Sequence, residues 1–428
     1  MKGISTALIA CALGCLVYDP AVQAQTEKVL YSFCSQTNCA DGEYPYAGVL
    51  RVKNKLYTTT STGGGNGNNQ GTLNAINMKT GAATFVYSFS NYVGDGAHPE
   101  SGLIEVNGTL YGVTTEGGAG DGGNGAGTLY SLNKKEEKEK VLYSFCSEQN
   151  CADGAWPDGD LLYMNGVLYG TTGVGGGGVE SCGGPYPGCG TVVSFEPATG
   201  AEKVLYAFCQ AENCADGRGP VGSLIDLNGN LYGTTADGGG GSGCSDEGGG
   251  CGTVFALDPA TGTETVLHTF GGETDGGTPV AGLINVNGTL FGTTEYGGGR
   301  SPCVNGYEDG CGTVFSIDPA TGAETVVHSF QNNGSDGQNP IAGLIEVRGK
   351  LYGTTEWGGK YGYGTVFSLD LKTGKETVLY SFCSQQNCAD GAIPYAGLTN
   401  VKGTLYGTTE WGGAGCCNTG GTVFSIVP

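Results

Sequence analysis

Short apolar segments alternate with glycine-rich polar segments along the whole chain, and the same order returns seven times. A Pro stands three residues after an Asp-Gly pair in every copy, at Pro45, Pro99, Pro157, Pro220, Pro279, Pro340 and Pro394. Successive Pro residues lie 54, 58, 63, 59, 61 and 54 positions apart. Repeats of this length are typical of propellers and solenoids, so the pattern predicts a tandem array of one unit.

Each copy contains four apolar runs that predict β-strands, which we name A to D. In the fifth copy the runs are Ala281–Val286, Thr289–Thr294, Gly312–Asp318 and Glu324–Phe330. They are rich in β-branched and aromatic residues, as strands are. Asn287-Gly288 predicts a tight hairpin between A and B, and Pro319–Gly322 predicts a turn between C and D. No window has a 3.6-residue apolar period, so we expect almost no helix.

The two ends of the array are complementary. A D-type run covers residues 28–33 before any A strand, and a C-type run at 421–426 has no D strand after it. The N-terminal strand can therefore complete the last unit, which favours a closed ring over a solenoid. We predict an all-β protein, a seven-bladed β-propeller with four antiparallel strands per blade, forming one domain over residues 25–428.

The first 24 residues have the pattern of a signal peptide: Lys2, an apolar stretch over Ile4–Val17, and a small-residue cleavage site at 22–24. An alternative is a lipoprotein box at 8–11, which would leave Cys11 lipid-modified. No other segment approaches the ~18 apolar residues of a transmembrane helix. We therefore expect a secreted, cell-surface or periplasmic protein.

Cysteine usage agrees with export. Of the 18 Cys residues, 16 lie beyond the predicted signal peptide. They form local pairs: Cys34 with Cys39, Cys146 with Cys151, Cys182 with Cys189, Cys209 with Cys214, Cys244 with Cys251, Cys303 with Cys311, Cys383 with Cys388, and Cys416 with Cys417. Paired cysteines in an exported protein predict disulfides, although the adjacent last pair leaves its bonding open. Zinc is disfavoured, because CxxC spacing is absent and the chain has three His.

The formal net charge of −22 argues against nucleic acid and anionic lipid as partners. No catalytic triad, zinc-protease motif or nucleotide-binding loop is present, so we predict no catalytic residue, no metal and no cofactor. The seven Asp-Gly pairs could bind Ca²⁺, but their presence in every copy favours Asp side chains that cap tight turns. The two His residues of strand D, His268 and His328, are expected to pack. We expect a monomer.

A line of Leu-Tyr-Gly-Thr-Thr, Gly-Gly and Gly-Thr-Val-Phe recurs, with clear copies over 351–367 and 405–424. This line resembles the GloVer tandem repeat of exported bacterial proteins, the choice-of-anchor group. The resemblance covers nearly all of the mature chain. It implies export from a bacterium and a propeller-like array, and it implies no activity.

Three copies carry an aromatic residue after a Glu at the end of strand B. These are Glu295 and Tyr296, Glu356 and Trp357, and Glu410 and Trp411. Aromatic rings pack on the apolar faces of sugars and carboxylates accept hydroxyl hydrogen bonds, so the pairs predict a sugar-binding arc. The alternative is that these rings fill the gaps between blades.

A second variable ring follows each Pro, and its polar members are candidates for the mouth of a central channel: Tyr46, Glu100, Asp158 and Tyr395. We expect an exported, non-catalytic protein that binds a carbohydrate or a surface protein on its loop-rich, cysteine-bearing face. The alternatives are a polysaccharide- or ester-directed lyase or hydrolase at the channel mouth, and an adhesive protein without a small-molecule site.

Overall fold

The computed structural model describes residues 27–65, 69–90, 94–120, 125–134, 138–178, 182, 185–240, 244, 250–299, 303, 310–413 and 420–428. The predicted signal peptide with its alternative lipidation site Cys11 lies outside these residues. In the described part of the chain, no helix is long and apolar enough to cross a membrane.

Seven antiparallel sheets of four strands each form the blades of a β-propeller. In blades one to four, strands A to D are Leu50–Val52, Lys55–Thr60, Thr72–Asn77 and Ala83–Ser88; Ile104–Val106, Thr109–Thr114, Thr128–Asn133 and Lys138–Ser144; Leu162–Met164, Val167–Val174, Thr191–Glu196 and Ala201–Ala207; Ile225–Leu227, Asn230–Thr235, Thr253–Asp258 and Thr263–Thr269. In blades five to seven they are Ile284–Val286, Thr289–Thr294, Thr313–Ile317 and Glu324–Ser329; Ile345–Val347, Lys350–Thr355, Thr365–Asp370 and Glu376–Ser381; Thr399–Val401, Thr404–Thr409, Thr422–Ile426 and Lys28–Ser32.

Short strands and 3₁₀ turns lie in the loops of the blades. Two-residue strands pair Gly96–Ala97 with Glu116–Gly117 and Gly337–Gln338 with Trp357–Gly358. Ala155–Pro157 adds to strand B of blade three. Within the described residues, the helical elements are 3₁₀ turns at Thr37–Cys39, Gln149–Cys151, Glu212–Cys214 and Gln386–Cys388.

The N-terminal strand closes the ring as the sequence predicts. Lys28–Ser32 pairs antiparallel with Thr422–Ile426, the C strand of blade seven. The A strands of neighbouring blades contact one another at five of the seven junctions around the axis, including the junction of blade one with blade seven. The apolar core lies between blades, so each cluster of buried side chains joins two neighbours.

Strand A is shorter than its apolar run. The sequence predicts Ala281–Val286 in blade five, and the structure has Ile284–Val286. The carbonyl of Ala281 accepts a hydrogen bond from the Thr234 hydroxyl of the preceding blade at 2.9 Å. The first half of the run therefore serves the contact between blades and leaves the sheet, because strands crowd at the axis.

The Thr residues of the repeated line Leu-Tyr-Gly-Thr-Thr and Gly-Thr-Val-Phe form hydrogen bonds that recur from blade to blade. The hydroxyls of Thr355 and Thr365 lie 2.8 Å apart, and the same Thr–Thr pair recurs in every blade at 2.7–2.8 Å. Thr354 donates to the carbonyl of Ala396 in the next blade at 3.0 Å. The line thus links strands B and C within a blade and links one blade to the next.

Seven disulfides form the pairs that the sequence predicts for them. Cys34–Cys39, Cys146–Cys151, Cys209–Cys214 and Cys383–Cys388 close the loops between strands D and A. Cys182–Cys189, Cys244–Cys251 and Cys303–Cys311 close the loops between strands B and C. In an antiparallel blade, the D-to-A loops and the B-to-C loops leave from the same end of the strands. That end of the propeller is the cysteine-bearing face.

The eighth predicted pair differs from these seven. Cys416 and Cys417 lie outside the described residues, so the disulfide predicted for them is not among the bonds that the structure describes. Adjacent cysteines can bond to each other only through a strained eight-membered ring, because the geometry of a disulfide is specific. A bond between Cys416 and Cys417 therefore stays a prediction, and the seven other pairs are confirmed.

The Asp of the Asp-Gly pairs caps the loop between strands D and A. Asp41 accepts the backbone amides of Ser35 and Gln36, both at 3.1 Å. It also accepts the hydroxyl of Tyr31 at 2.8 Å, while Gly42 has a φ of 99°. These bonds match the predicted structural role of the Asp-Gly pairs.

Six gaps between blades contain a further acid beside this Asp. An interblade triad, as we call it, consists of a strand D Tyr or His of one blade, the Asp of the next loop, and a Glu at or just before the start of strand D in the next blade. The triads are Tyr87/Asp95/Glu139, Tyr143/Asp153/Glu202, Tyr206/Asp216/Glu264, His268/Asp275/Glu324, His328/Asp336/Glu376 and Tyr380/Asp390/Glu27.

Stability should therefore fall as the pH rises from about 5 to 8. Burial and nearby Asp95 raise the pKa of Glu139 from 4.5 to about 8, so folding favours its protonated form. This contribution is complete below the unfolded pKa and is lost as the pH rises through the folded one. We expect Glu139→Gln to raise the free energy of unfolding at pH 8 by about 1 kcal/mol, a value reduced for solvent screening, and to leave it unchanged at pH 5.

Urea unfolding at both pH values checks this expectation. Glu105→Gln is the matched control, because Glu105 is exposed and accepts a hydrogen bond from Lys134, which lowers its pKa. The free energy of unfolding of the control should not rise at pH 8. Equal pH dependence of Glu139→Gln and the wild type would contradict the burial of an ionising Glu between the blades.

Candidate functional site

A cavity of 740 Å³ lies on the central axis and is lined by all seven blades, where the loops of the cysteine-bearing face lead into the A strands. The residue after each repeat Pro lines its wall, and these residues are Tyr46, Glu100, Asp158, Val221, Val280, Ile341 and Tyr395. Strand A is the innermost strand, so its start necessarily faces the axis. The structure thus places the four polar residues that the sequence assigns to the channel mouth on one wall.

The Glu residues at the ends of the B strands reach the same place. Glu295 and Glu356 line the cavity. Glu410 accepts a hydrogen bond from the Tyr46 hydroxyl at 2.9 Å, across the junction of blades seven and one. Sequence reasoning treated these Glu residues and the ring after Pro as two separate regions, and the structure brings them together at the channel mouth.

The aromatic neighbours of these Glu residues lie beside the carboxylates, and each donates a side-chain hydrogen bond to the Glu that precedes it. None of the three belongs to the cavity wall. Trp357 and Trp411 are half-buried, with ring centroids 6.5 Å apart in an edge-to-face arrangement. Both contact a buried cluster that includes Ile393, and Tyr296 is also half-buried. The rings therefore lie behind the carboxylates.

The carboxyl groups of the cavity hold protons more tightly than usual. Burial, followed by the charge of Asp158, raises the pKa of Glu100 to about 7. Burial and the charges of Glu295 and Glu410 raise the pKa of Glu356 to about 7. The interacting acids belong to neighbouring blades, so the carboxylates repel one another around the channel mouth.

Asp160 is a cavity residue that sequence reasoning missed. Its Oδ1 accepts the Gly102 amide at 2.5 Å, and its own amide donates to Ser223 Oγ at 3.0 Å. Burial raises the pKa of Asp158 to about 6, with help from the charge of Asp160. A signal was available, because five of the seven copies carry Gly at this position and blade three carries Asp160.

Apart from Ser101, Ser223 and Thr399, the rest of the wall is apolar or aromatic. Val221, Val280 and Ile341 of blades four to six form one arc, and the rings of Tyr46 and Tyr395 meet edge-to-face at 5.0 Å. No Lys, Arg or His belongs to the wall that the described residues form. The cavity can therefore accept hydrogen bonds from hydroxyl or ammonium groups, and it disfavours anions.

A second cavity of 470 Å³ lies between blades seven and one, beside Tyr31 and Asp41. Ala83 stands there in place of the Glu of the six interblade triads, and the ring of Phe85 is 47% exposed. The loss of the Glu side chain accounts for the space. Sequence reasoning missed this cavity, and the Ala at a position of recurrent Glu was its signal.

Groups of potential metal ligands occur at three places in the described residues. Two of them consist largely of cysteines that are bonded as disulfides: Cys182, Cys189, Cys209 and Cys214 form one, and Cys34, Cys39 and Glu43 form the other. A disulfide sulfur is not the thiolate that metals bind. The third is the triad His328/Asp336/Glu376, which lies away from the channel.

Comparisons with known proteins identify the scaffold. The family model described as the Gloeobacter/Verrucomicrobia repeat matches residues 15–245, 123–304 and 245–428. No curated protein matches the chain. An oligogalacturonate lyase from Vibrio parahaemolyticus is 10% identical with a TM-score of 0.55, over 95% of this chain and 94% of that chain. An oligogalacturonate lyase in complex with manganese is 12% identical with a TM-score of 0.52, over 94% of this chain and 96% of that chain. At such identity the likeness shows the fold alone.

Proposed function

The chain belongs to the Gloeobacter/Verrucomicrobia repeat family, and on this scaffold we propose an exported, non-catalytic protein that binds a carbohydrate at the mouth of its central channel. The observation that carries the proposal is the shared cavity of Glu295, Glu356 and Tyr395 with Glu100 and Asp158. Sugar sites need carboxylates for the hydroxyl groups and apolar surface for the C–H faces, and this cavity offers both.

The charge of the wall narrows the class of ligand. Five acids line the cavity, namely Glu100, Asp158, Asp160, Glu295 and Glu356, and no cation among the lining residues balances them. A polyuronate would bring further negative charge, which like-charge repulsion opposes. A neutral or amino sugar fits the wall, and its hydroxyl or ammonium groups would donate to the carboxylates. The substrate named for the structurally similar lyases is therefore a poor match for this cavity.

A glycan array with the purified protein tests the proposal, and Tyr395→Ala is the informative variant. We expect binding to neutral or amino sugars and a loss of at least about tenfold in affinity in the variant, because removing a stacked ring costs about 1–3 kcal/mol. Tyr361→Ala is the matched control, since Tyr361 and Tyr395 are 41% and 42% exposed but only Tyr395 lines the cavity. The control should bind like the wild type.

Other results of the glycan experiments would favour one of the alternative functions. Turnover of a bound glycan would support a lyase or hydrolase, for which the proton-holding carboxyls of Glu100 and Asp158 would be the acids to substitute first. Absence of binding to any glycan would contradict the proposal and favour an adhesive or structural surface protein. Equal losses in Tyr395→Ala and Tyr361→Ala would place the ligand outside the channel.

A further inference from the structure

Two interblade triads differ from the others by one substitution. The strand D residue is Tyr at positions 87, 143, 206 and 380, and His at positions 268 and 328. The hydroxyls of Tyr143, Tyr206 and Tyr380 donate to the Asp of their triads at 2.7–2.8 Å. An imidazole is shorter than a phenol, so His328 Nε2 stops 3.6 Å from Asp336 Oδ2. That distance is too long for a hydrogen bond, and a gap remains between the two atoms.

Buried atoms without partners surround this gap. Neither His328 Nε2 nor Glu376 Oε1 is accessible to solvent, and neither has a hydrogen-bond partner. The equivalent Glu oxygen of the other five triads and His268 Nε2 are also without a partner, so the close approach of its three donor atoms is what distinguishes this gap. Asp336 is 8% exposed, and the amides of Gln331 and Gly337 hold its carboxylate at 3.1 and 2.8 Å. Buried polar atoms are nearly always satisfied in folded proteins, so an imidazole nitrogen and a carboxylate oxygen that lack partners beside Asp336 can take a common ligand.

We propose that His328, Asp336 and Glu376 bind a divalent first-row transition metal ion, such as Zn²⁺ or Mn²⁺, between blades five and six. One donor atom from each of the three side chains lies within 4.8 Å of the other two, so a single ion between them can reach all three. One imidazole nitrogen with two carboxylate oxygens is a donor set of zinc, manganese and iron sites. Ca²⁺ takes oxygen ligands, which the imidazole does not supply.

The neighbouring gap provides an internal comparison. His268, Asp275 and Glu324 occupy the same positions between blades four and five, with His268 Nε2 3.4 Å from Asp275 Oδ2. The Asp275 side chain is 27% exposed, whereas that of Asp336 is 9% exposed. Of the two His-containing triads among the described residues, only that of His328 brings its three donor atoms within 4.8 Å. We therefore expect one tight site per chain.

The experiment is metal uptake by the full mature chain, produced without a histidine tag and stripped with EDTA. Equilibrium dialysis against ZnCl₂ or MnCl₂, followed by elemental analysis, should show one tightly bound ion in the wild type. His328→Tyr and Glu376→Gln should lose it, with more than about 100-fold weaker binding, because even a second-shell change costs 10–100-fold. His268→Tyr is the matched control and should retain the ion.

Thermal melts separate loss of the ligand from loss of the fold. His328→Tyr restores the phenol that four triads carry, so it should melt in EDTA at or above the wild-type temperature. Added Zn²⁺ or Mn²⁺ should raise the melting temperature of the wild type and of His268→Tyr, but not of His328→Tyr. Equal uptake by His328→Tyr and the wild type, no tight ion in the wild type, or stabilisation by CaCl₂ alone would each overturn the proposal.

Discussion

Deletion of residues 25–33 should lower the melting temperature of the protein more than any single substitution. Residues 28–32 of this segment are the D strand of blade seven, and their loss leaves Thr422–Ile426 as an unpaired edge. Phe33 is fully buried and packs with Val423 and Leu56. The Phe33 ring alone is worth about 3–5 kcal/mol, and the ladder of hydrogen bonds adds to it. Thermal melts followed by circular dichroism measure the effect.

A permuted chain is the control for this deletion. Residues 25–33 would be moved behind Pro428 and joined by Pro-Ala-Thr-Gly, the turn that links strands C and D at Pro319–Gly322. The strand would then reach the same edge from the other side of a hairpin and should restore the melting temperature. A deletion variant that melts like the wild type would contradict closure of the ring by the N-terminal strand.

Trp357→Ala should lower the free energy of unfolding by about 3 kcal/mol. The ring is half-buried against Trp411 and contacts the cluster of Cys388 and Ile393, so its removal leaves a hole between blade six and the loop that enters blade seven. Glu356→Gln changes the adjacent side chain, which faces the cavity, and should cost little stability. Urea unfolding of the two variants measures the difference.

The same pair of variants tests the sugar-binding arc of Tyr296, Trp357 and Trp411, which stays a prediction. If ligand contacts come from the cavity wall, Glu356→Gln should weaken glycan binding while the fold is kept. If the aromatic arc is the binding surface, Trp357→Ala should abolish binding at nearly unchanged stability. The second result would move the proposed site from the channel to the rings behind it.

The architecture could be predicted from the sequence because its determinants are local and repeated. The number of Asp-Gly-x-x-Pro copies predicts the number of blades, and the order of strand types at the two ends predicts how the ring closes. Seven disulfides could be predicted because each joins cysteines five to eight positions apart, as Cys34–Cys39 and Cys303–Cys311 do. The partner of each feature lies within the same blade or loop, where sequence distance and spatial distance agree.

The side-chain contacts between different blades could be identified only from the tertiary structure. Tyr46 and Glu410 are 364 positions apart and form one hydrogen bond, because closure of the ring places blade seven beside blade one. His328 and Glu376 belong to different copies, and nothing in either copy alone indicates that they share a gap with Asp336. A repeat pattern specifies the strands of each blade, whereas side chains in the channel and between blades depend on how neighbouring copies pack. The chain itself therefore determined the scaffold, and packing of the blades around the axis determined the candidate sites.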